Sequence, residues 1–219
     1  MGLAELLGVG PGVTSVVGSG GKTSLLAALA RELSGTVVLT TTTHILPFAG
    51  VPLVTSANAD DVRAALAGSR VVCVGSQAEK DGKLVAPTLG IDTLATLADY
   101  VLVEADGARR LPLKAHAAWE PVIPACSNRT ILVFGASGLD RPVHEVVHRP
   151  EIFCELTGCA PNHPATPELV ARAAEAEALA DVALVNQEDV APDTARELAA
   201  LLGIPAFVGS VRAGRAHAV

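Results

Sequence analysis

The residues with the most chemistry to offer gather at Gly18-Ser19-Gly20-Gly21-Lys22-Thr23-Ser24. Glycines at this density let the backbone curl until several N–H groups converge on one anion. A lysine adds a reaching positive charge, and the Thr23 hydroxyl is a hard oxygen ligand for Mg²⁺. The run before it, Val13-Thr14-Ser15-Val16-Val17, is a β-branched strand, and Leu25 to Leu33 after it has the pattern of a helix. Strand, tight loop and helix in that order make a phosphate cradle, with every residue from Gly18 to Ser24 a candidate nucleotide contact. The spacing is the short G-x-x-G-K-T form, because the longer G-x-x-x-x-G-K-[ST] pattern needs a glycine where this chain has Val16.

Two carboxylates follow the apolar run Tyr100-Val101-Leu102-Val103, in Glu104-Ala105-Asp106-Gly107. An acid at the carboxyl end of a buried strand is well placed to hold Mg²⁺, so Asp106 is expected to share the ion with Thr23. Glu104 is then expected to orient an attacking water, a role open equally to a hydroxyl of Thr40 to Thr43 beyond the strand Val37-Val38-Leu39. Lys22, Glu104 and Asp106 are the expected catalytic residues, and Arg109, Arg110 and Lys114 add positive charge nearby. A later strand, Val182 to Val185, runs into Asn186-Gln187-Glu188-Asp189. That tetrad is similar to the N-K-x-D reader of guanine, with Gln187 in place of lysine, and makes Asn186 and Asp189 candidate base contacts. ATP and GTP both remain open.

His144-Glu145-Val146-Val147-His148 spells H-E-x-x-H, which on one helix would present two imidazoles to a zinc ion. Pro150 stops such a helix at once and no third ligand follows, so His148 and Arg149 are expected to be polar contacts of the main site. Cys73, Cys126, Cys154 and Cys159 form no C-x-x-C pair and are expected to be reduced thiols.

The elements needed to position these groups alternate strand and helix along all 219 residues. The expected fold is α/β, a doubly wound and mainly parallel sheet of the P-loop NTPase type, in one domain over residues 1–219. Asn58 or Asp60 caps a helix reaching Ala67, Glu79 to Lys83 is a hairpin tip, Thr166 caps a helix from Pro167 to Leu179, and Arg212 to Val219 is a tail expected to fray. A net charge of −7 and a pI near 5.3 argue against nucleic acid or an anionic membrane as partner. No apolar run reaches the ~20 residues that span a bilayer, and Met1 to Leu7 lacks a basic leader segment, so the expected location is the cytoplasm.

Taken together, the glycine loop, Thr40-Thr41-Thr42-Thr43, Val103-Glu104-Ala105-Asp106-Gly107-Ala108-Arg109 with Leu113-Lys114, His148-Arg149-Pro150-Glu151 and Val185 to Asp189 resemble the YqeC family, accessory proteins of selenium-dependent molybdenum hydroxylases. The resemblance implies a P-loop protein that binds Mg²⁺ with ATP or GTP and hydrolyses the nucleotide. It also implies a molybdenum hydroxylase, or the proteins handling its cofactor, as partner. Two other readings keep the site: a kinase or Mur-ligase-like enzyme that uses ATP on a small acid, and a nucleotide sensor without turnover.

Overall fold

The apolar runs assemble into a nine-stranded sheet in the computed structural model, which describes residues 2–78 and 82–219. In spatial order the strands are Arg215–Ala218, Ala206–Ser210, Val182–Asn186, Ser127–Gly135, Gly12–Gly18, Tyr100–Glu104, Val37–Thr41, Val71–Val74 and Leu53–Val54. Every neighbouring pair is parallel except the outermost, where Arg215–Ala218 returns antiparallel to Ala206–Ser210. The fold is therefore mixed α/β around a large, mostly parallel sheet.

Parallel neighbours need long crossovers, and the helices in those crossovers cover the sheet. Val13 and Val17 of the central strand face one core, with Val101, Val103 and Leu132, whereas Val16 faces the other, with Leu25, Leu29 and Leu102. Burial on both faces explains why these strands read as unbroken apolar runs. Leu25, Leu26 and Leu29, all fully buried, anchor the helix Lys22–Glu32, each contributing about 1.5–3 kcal/mol. Since Gly12–Gly18, Tyr100–Glu104 and Val37–Thr41 run in one direction, their carboxyl ends share one edge, and the glycine loop, Glu104 and the threonines meet there.

Several boundaries differ from the sequence reading. The threonine strand stops at Thr41, because the Thr41 hydroxyl accepts from Thr43 N–H at 2.9 Å and turns the chain at once. Asn58 caps the helix Ala59–Gly68 and Thr166 caps Pro167–Glu177. Of the expected hairpin tip, Glu79, Lys80 and Asp81 lie outside the described residues, and its flanks Ser76–Gln77 and Leu84–Val85 pair antiparallel. The tail does not fray: Arg215–Ala218 is an edge strand with Val208 opposite His217 and Gly209 opposite Ala216. The four cysteines are free thiols, and the Sγ atoms of Cys154 and Cys159 are 3.7 Å apart. Among the described residues no helix is long and apolar enough to cross a membrane.

Candidate functional site

The central strand ends in a loop that only glycine can follow. Gly18, Gly20 and Gly21 have φ of 92°, 80° and 134°, and a Cβ on Gly20 would lie 2.3 Å from the Gly135 backbone. The helix Lys22–Glu32 starts immediately afterwards, with Gly21 as its N-cap and no side-chain cap hydrogen bond. The Thr23 hydroxyl donates to Glu104 Oε2 at 2.7 Å. Burial raises the Glu104 carboxyl above its usual range, against the opposing influence of Lys22 and Thr23.

Asp106 lies underneath this loop. It is fully buried: Oδ2 accepts from Gly18 N–H at 2.8 Å and meets His116 Nε2 at 2.7 Å, and Oδ1 pairs with Lys22 Nζ at 2.9 Å. Lys114 Nζ closes the set, 3.2 Å from Oδ2 and 3.0 Å from Glu120 Oε1. His116 continues the chain, because its Nδ1 is 2.7 Å from Glu177 Oε2 and its backbone N–H donates to Glu177 Oε1 at 2.6 Å. Burial alone would raise the Asp106 carboxyl, but the His116 hydrogen bond and the Lys22 and Lys114 charges outweigh it and hold it down at about 2. For His116, burial works against protonation, and hydrogen bonds to Asp106 and Glu177 overcome it to raise the imidazole pKa. An ionic chain of Glu177, His116, Asp106 and Lys22 thus links a distant helix to the floor of the loop.

Above the floor, a cleft of about 1780 Å³ opens between Gly20, Gly21, Lys22, Thr23, Ser24 and Glu104 on one side and the segments around Arg109, Trp119 and Arg149 on the other. Arg109 and Arg110 occupy the centre of a tight turn at φ of 48° and 63°, closed by Leu111 N–H to Ala108 O at 2.9 Å. Two consecutive non-glycine residues in the left-handed region cost about 1–3 kcal/mol each, a strain that collects at binding sites. Arg149, ion-paired to Glu120, places its guanidinium 5.3 Å from the centre of the Trp119 ring. His148 has its pKa lowered, chiefly by burial and then by the charges of Lys114 and Arg149.

Residues 14–151 match the family model described as YqeC protein. The chain belongs to the YqeC family. It is 40% identical over 161 residues to the uncharacterized protein YqeC of Escherichia coli strain K12, a match that takes in 69% of this chain and 63% of that relative's length. The YqeC match takes in the glycine loop, Glu104, Asp106 and Lys114, and stops before Glu177, Asn186 and Asp189.

Of the residues singled out in the sequence, Gly20, Gly21, Lys22, Thr23, Ser24 and Glu104 line the cleft. Asp106 does not: it lies fully buried beneath the loop, where Oδ2 meets Gly18 N–H, His116 and Lys114 and Oδ1 meets Lys22 without a hydrogen bond. Gly18 and Ser19 are buried under the turn, where the Ser19 hydroxyl donates to Leu111 O. Asn186 is turned inward, its Nδ2 donating to Gly20 O at 2.8 Å and its Oδ1 accepting from Val211 N–H at 2.9 Å. Asp189 is exposed and outside the cleft lining, while the neighbouring Glu188 is the buried acid, 2.8 Å from Arg196. The Thr41 and Thr42 hydroxyls donate to the carbonyls of Glu104 and Val122, leaving Thr43 as the threonine of this run that lines the cleft.

The H-E-x-x-H segment is not one helix. Its helix ends at Val146, Val147–His148 pairs with Leu113–Lys114, and Arg149 turns left-handed before Pro150 begins the next helix. His144 and His148 reach the cleft from different elements. Sequence reasoning missed His116 and Glu177. The signal for the first was Leu113-Lys114-Ala115-His116, where strand alternation sends Lys114 and His116 to the same side. Glu177 carries no local signal, being the last residue of an ordinary amphipathic helix.

Proposed function

We propose that the glycine loop and its cleft form a P-loop site that binds a nucleoside triphosphate, ATP or GTP, with Mg²⁺ and hydrolyses it. The observation that carries this reading is the 2.7 Å bond from Thr23 to Glu104, at the start of a helix whose first residues line the cleft. Thr23 and Glu104 together offer the hard oxygens Mg²⁺ prefers, and Glu104, buried with its charge imperfectly matched, is the acid a divalent cation would relieve. These two residues would hold the ion, with Asp106 behind them, and it would neutralise charge building on the phosphate oxygens.

The backbone of Gly20 and Gly21 receives the phosphates. Lys22, drawn down by Gly18 O at 2.7 Å and Asp106 at 2.9 Å, is held at the height of the loop. Thr43 is left to orient an attacking water. Positioning and charge neutralisation supply the rate in such sites. The role in maturing a selenium-dependent molybdenum hydroxylase rests on the YqeC resemblance, and no residue in the cleft carries it.

Turnover of ATP and GTP, measured with Mg²⁺ and with EDTA, tests the reading. The wild type turns over one of the two with Mg²⁺, and Glu104→Gln loses about 10²-fold or more, the usual scale for removing one preorganised charge from a reaction centre. Turnover that survives Glu104→Gln unchanged contradicts it. The size of the cleft favours a second reading, in which the phosphate passes to an acceptor. ADP release that depends on an added small acid selects that one.

A further inference from the structure

The cleft is larger than one nucleotide needs, since pockets for drug-sized ligands run to about 300–1,000 Å³ and this one is about 1780 Å³. Its second region, around Trp119, has a composition of its own. Trp119 is the chain's single tryptophan and is 75% exposed at the cleft. An indole left in water contributes little to the fold, and its open face is a stacking surface. Arg149 stands 5.3 Å from the ring centre, and Arg109 and Arg110, which line the same cleft, are exposed, strained and paired with no carboxylate among the described residues.

We infer that Trp119, Arg109, Arg110 and Arg149 form a second binding site for a small organic anion carrying a planar ring, the acceptor or cargo on which the nucleotide half of the cleft acts. This rests on reading the glycine loop as the nucleotide's half. The ring stacks on Trp119, and the phosphate or carboxylate lies against the arginine pair, whose side chains are oriented by the left-handed turn. The site is wired to the loop. Arg149 pairs with Glu120, Glu120 with Lys114 at 3.0 Å, Lys114 with Asp106 at 3.2 Å, and Asp106 with the Gly18 amide at 2.8 Å. An anion competing with Glu120 for Arg149 therefore redistributes charge around Asp106 beneath the phosphate cradle.

Trp119 emission reports on this site alone, because no other tryptophan contributes. The probe is 4-nitrophenyl phosphate, compared with uncharged 4-nitroanisole by quenching and with inorganic phosphate by competition against the probe. Saturable quenching by the aromatic phosphate is expected, with both comparison compounds about tenfold weaker or more, as loss of a charge-assisted bond or of the stack implies. Replacing the turn with Arg109→Asn and Arg110→Asn, residues that tolerate positive φ, weakens the probe about tenfold and leaves the thermal midpoint of the free protein in place. Saturating Mg-ATP, its binding followed by thermal shift, does not displace the probe, and Lys22→Ala still binds it.

Absence of quenching, or quenching unchanged by the arginine substitutions, overturns the inference. Displacement by Mg-ATP, or loss in Lys22→Ala, also overturns it and makes Trp119 a cover for the nucleotide's own base. Failure of the nucleotide reading looks different: no thermal shift with ATP or GTP, while Trp119 quenching and its arginine dependence persist.

Discussion

Asp106 shows how one residue's role depends on what surrounds it. A carboxylate at the end of a buried strand, beside a lysine and a glycine loop, has the composition of a metal ligand. Two hydrogen bonds, from Gly18 and His116, and the ammonium groups of Lys22 and Lys114 converge on it here, so it is a counter-charge under the loop. Removing His116 strips both Asp106 and Glu177 of a partner in a buried setting. His116→Ala is therefore expected to lose about 3–5 kcal/mol in urea unfolding.

The pH dependence follows from the same pair. Asp106 has an ordinary value of 3.8 and is held at about 2, so its contribution is complete above 3.8 and is lost as pH falls toward 2. His116 is raised above 6.5, so its contribution is complete below 6.5 and is lost as pH rises through the higher folded value. Unfolding free energy should decline in the wild type as pH rises above 6.5, and lose that decline in His116→Gln. Glu104 has the opposite consequence for ligands. Its raised pKa means that Mg²⁺-dependent nucleotide binding weakens on acidification before ordinary carboxylates titrate, an effect readable by calorimetry at several pH values.

At the scale of elements, the strand–loop–helix unit follows from local rules: a β-branched run, glycines where φ is positive, and leucines on the buried face of the helix. Gly20→Ala tests its tightness. The added methyl meets the Gly135 backbone at 2.3 Å and Pro112 O at 2.9 Å at a φ of 80°, so nucleotide binding is lost and the thermal midpoint falls. This unit and the acids after Val103 were legible because their signals lie within a few residues of one another. What escaped depends on distant partners. Glu177 reaches His116 across 61 residues, and Asn186 reaches Gly20 across 166, and neither bond leaves a mark in local spacing. The H-E-x-x-H pattern is local yet does not make one helix, since Val147 finds a strand partner in Leu113 and leaves the helix.

Across the whole molecule, the parallel sheet brings three strand ends to one edge and encloses the ionic chain between that edge and the helix Pro167–Glu177. One edge of the sheet is closed by the antiparallel strand Arg215–Ala218, which covers Ala206–Ser210 and places His217 3.4 Å from Glu188. Deleting residues 215–219 uncovers a strand edge, and the truncated chain is expected to melt earlier and to associate, as thermal unfolding and light scattering would report.

The central claim is that the loop is a nucleotide cradle, and thermal unfolding tests it most directly. Wild type and Lys22→Ala are melted with Mg²⁺ alone, with Mg-ATP and with Mg-GTP, and each protein is compared with its own ligand-free midpoint. At 100 times Kd, binding stabilises by about 2.7 kcal/mol, or about 5–10 °C for a chain of this size. A rise of that order with one nucleotide in the wild type, absent in Lys22→Ala, is the predicted result. No rise with either nucleotide, or an equal rise in both proteins, would contradict it.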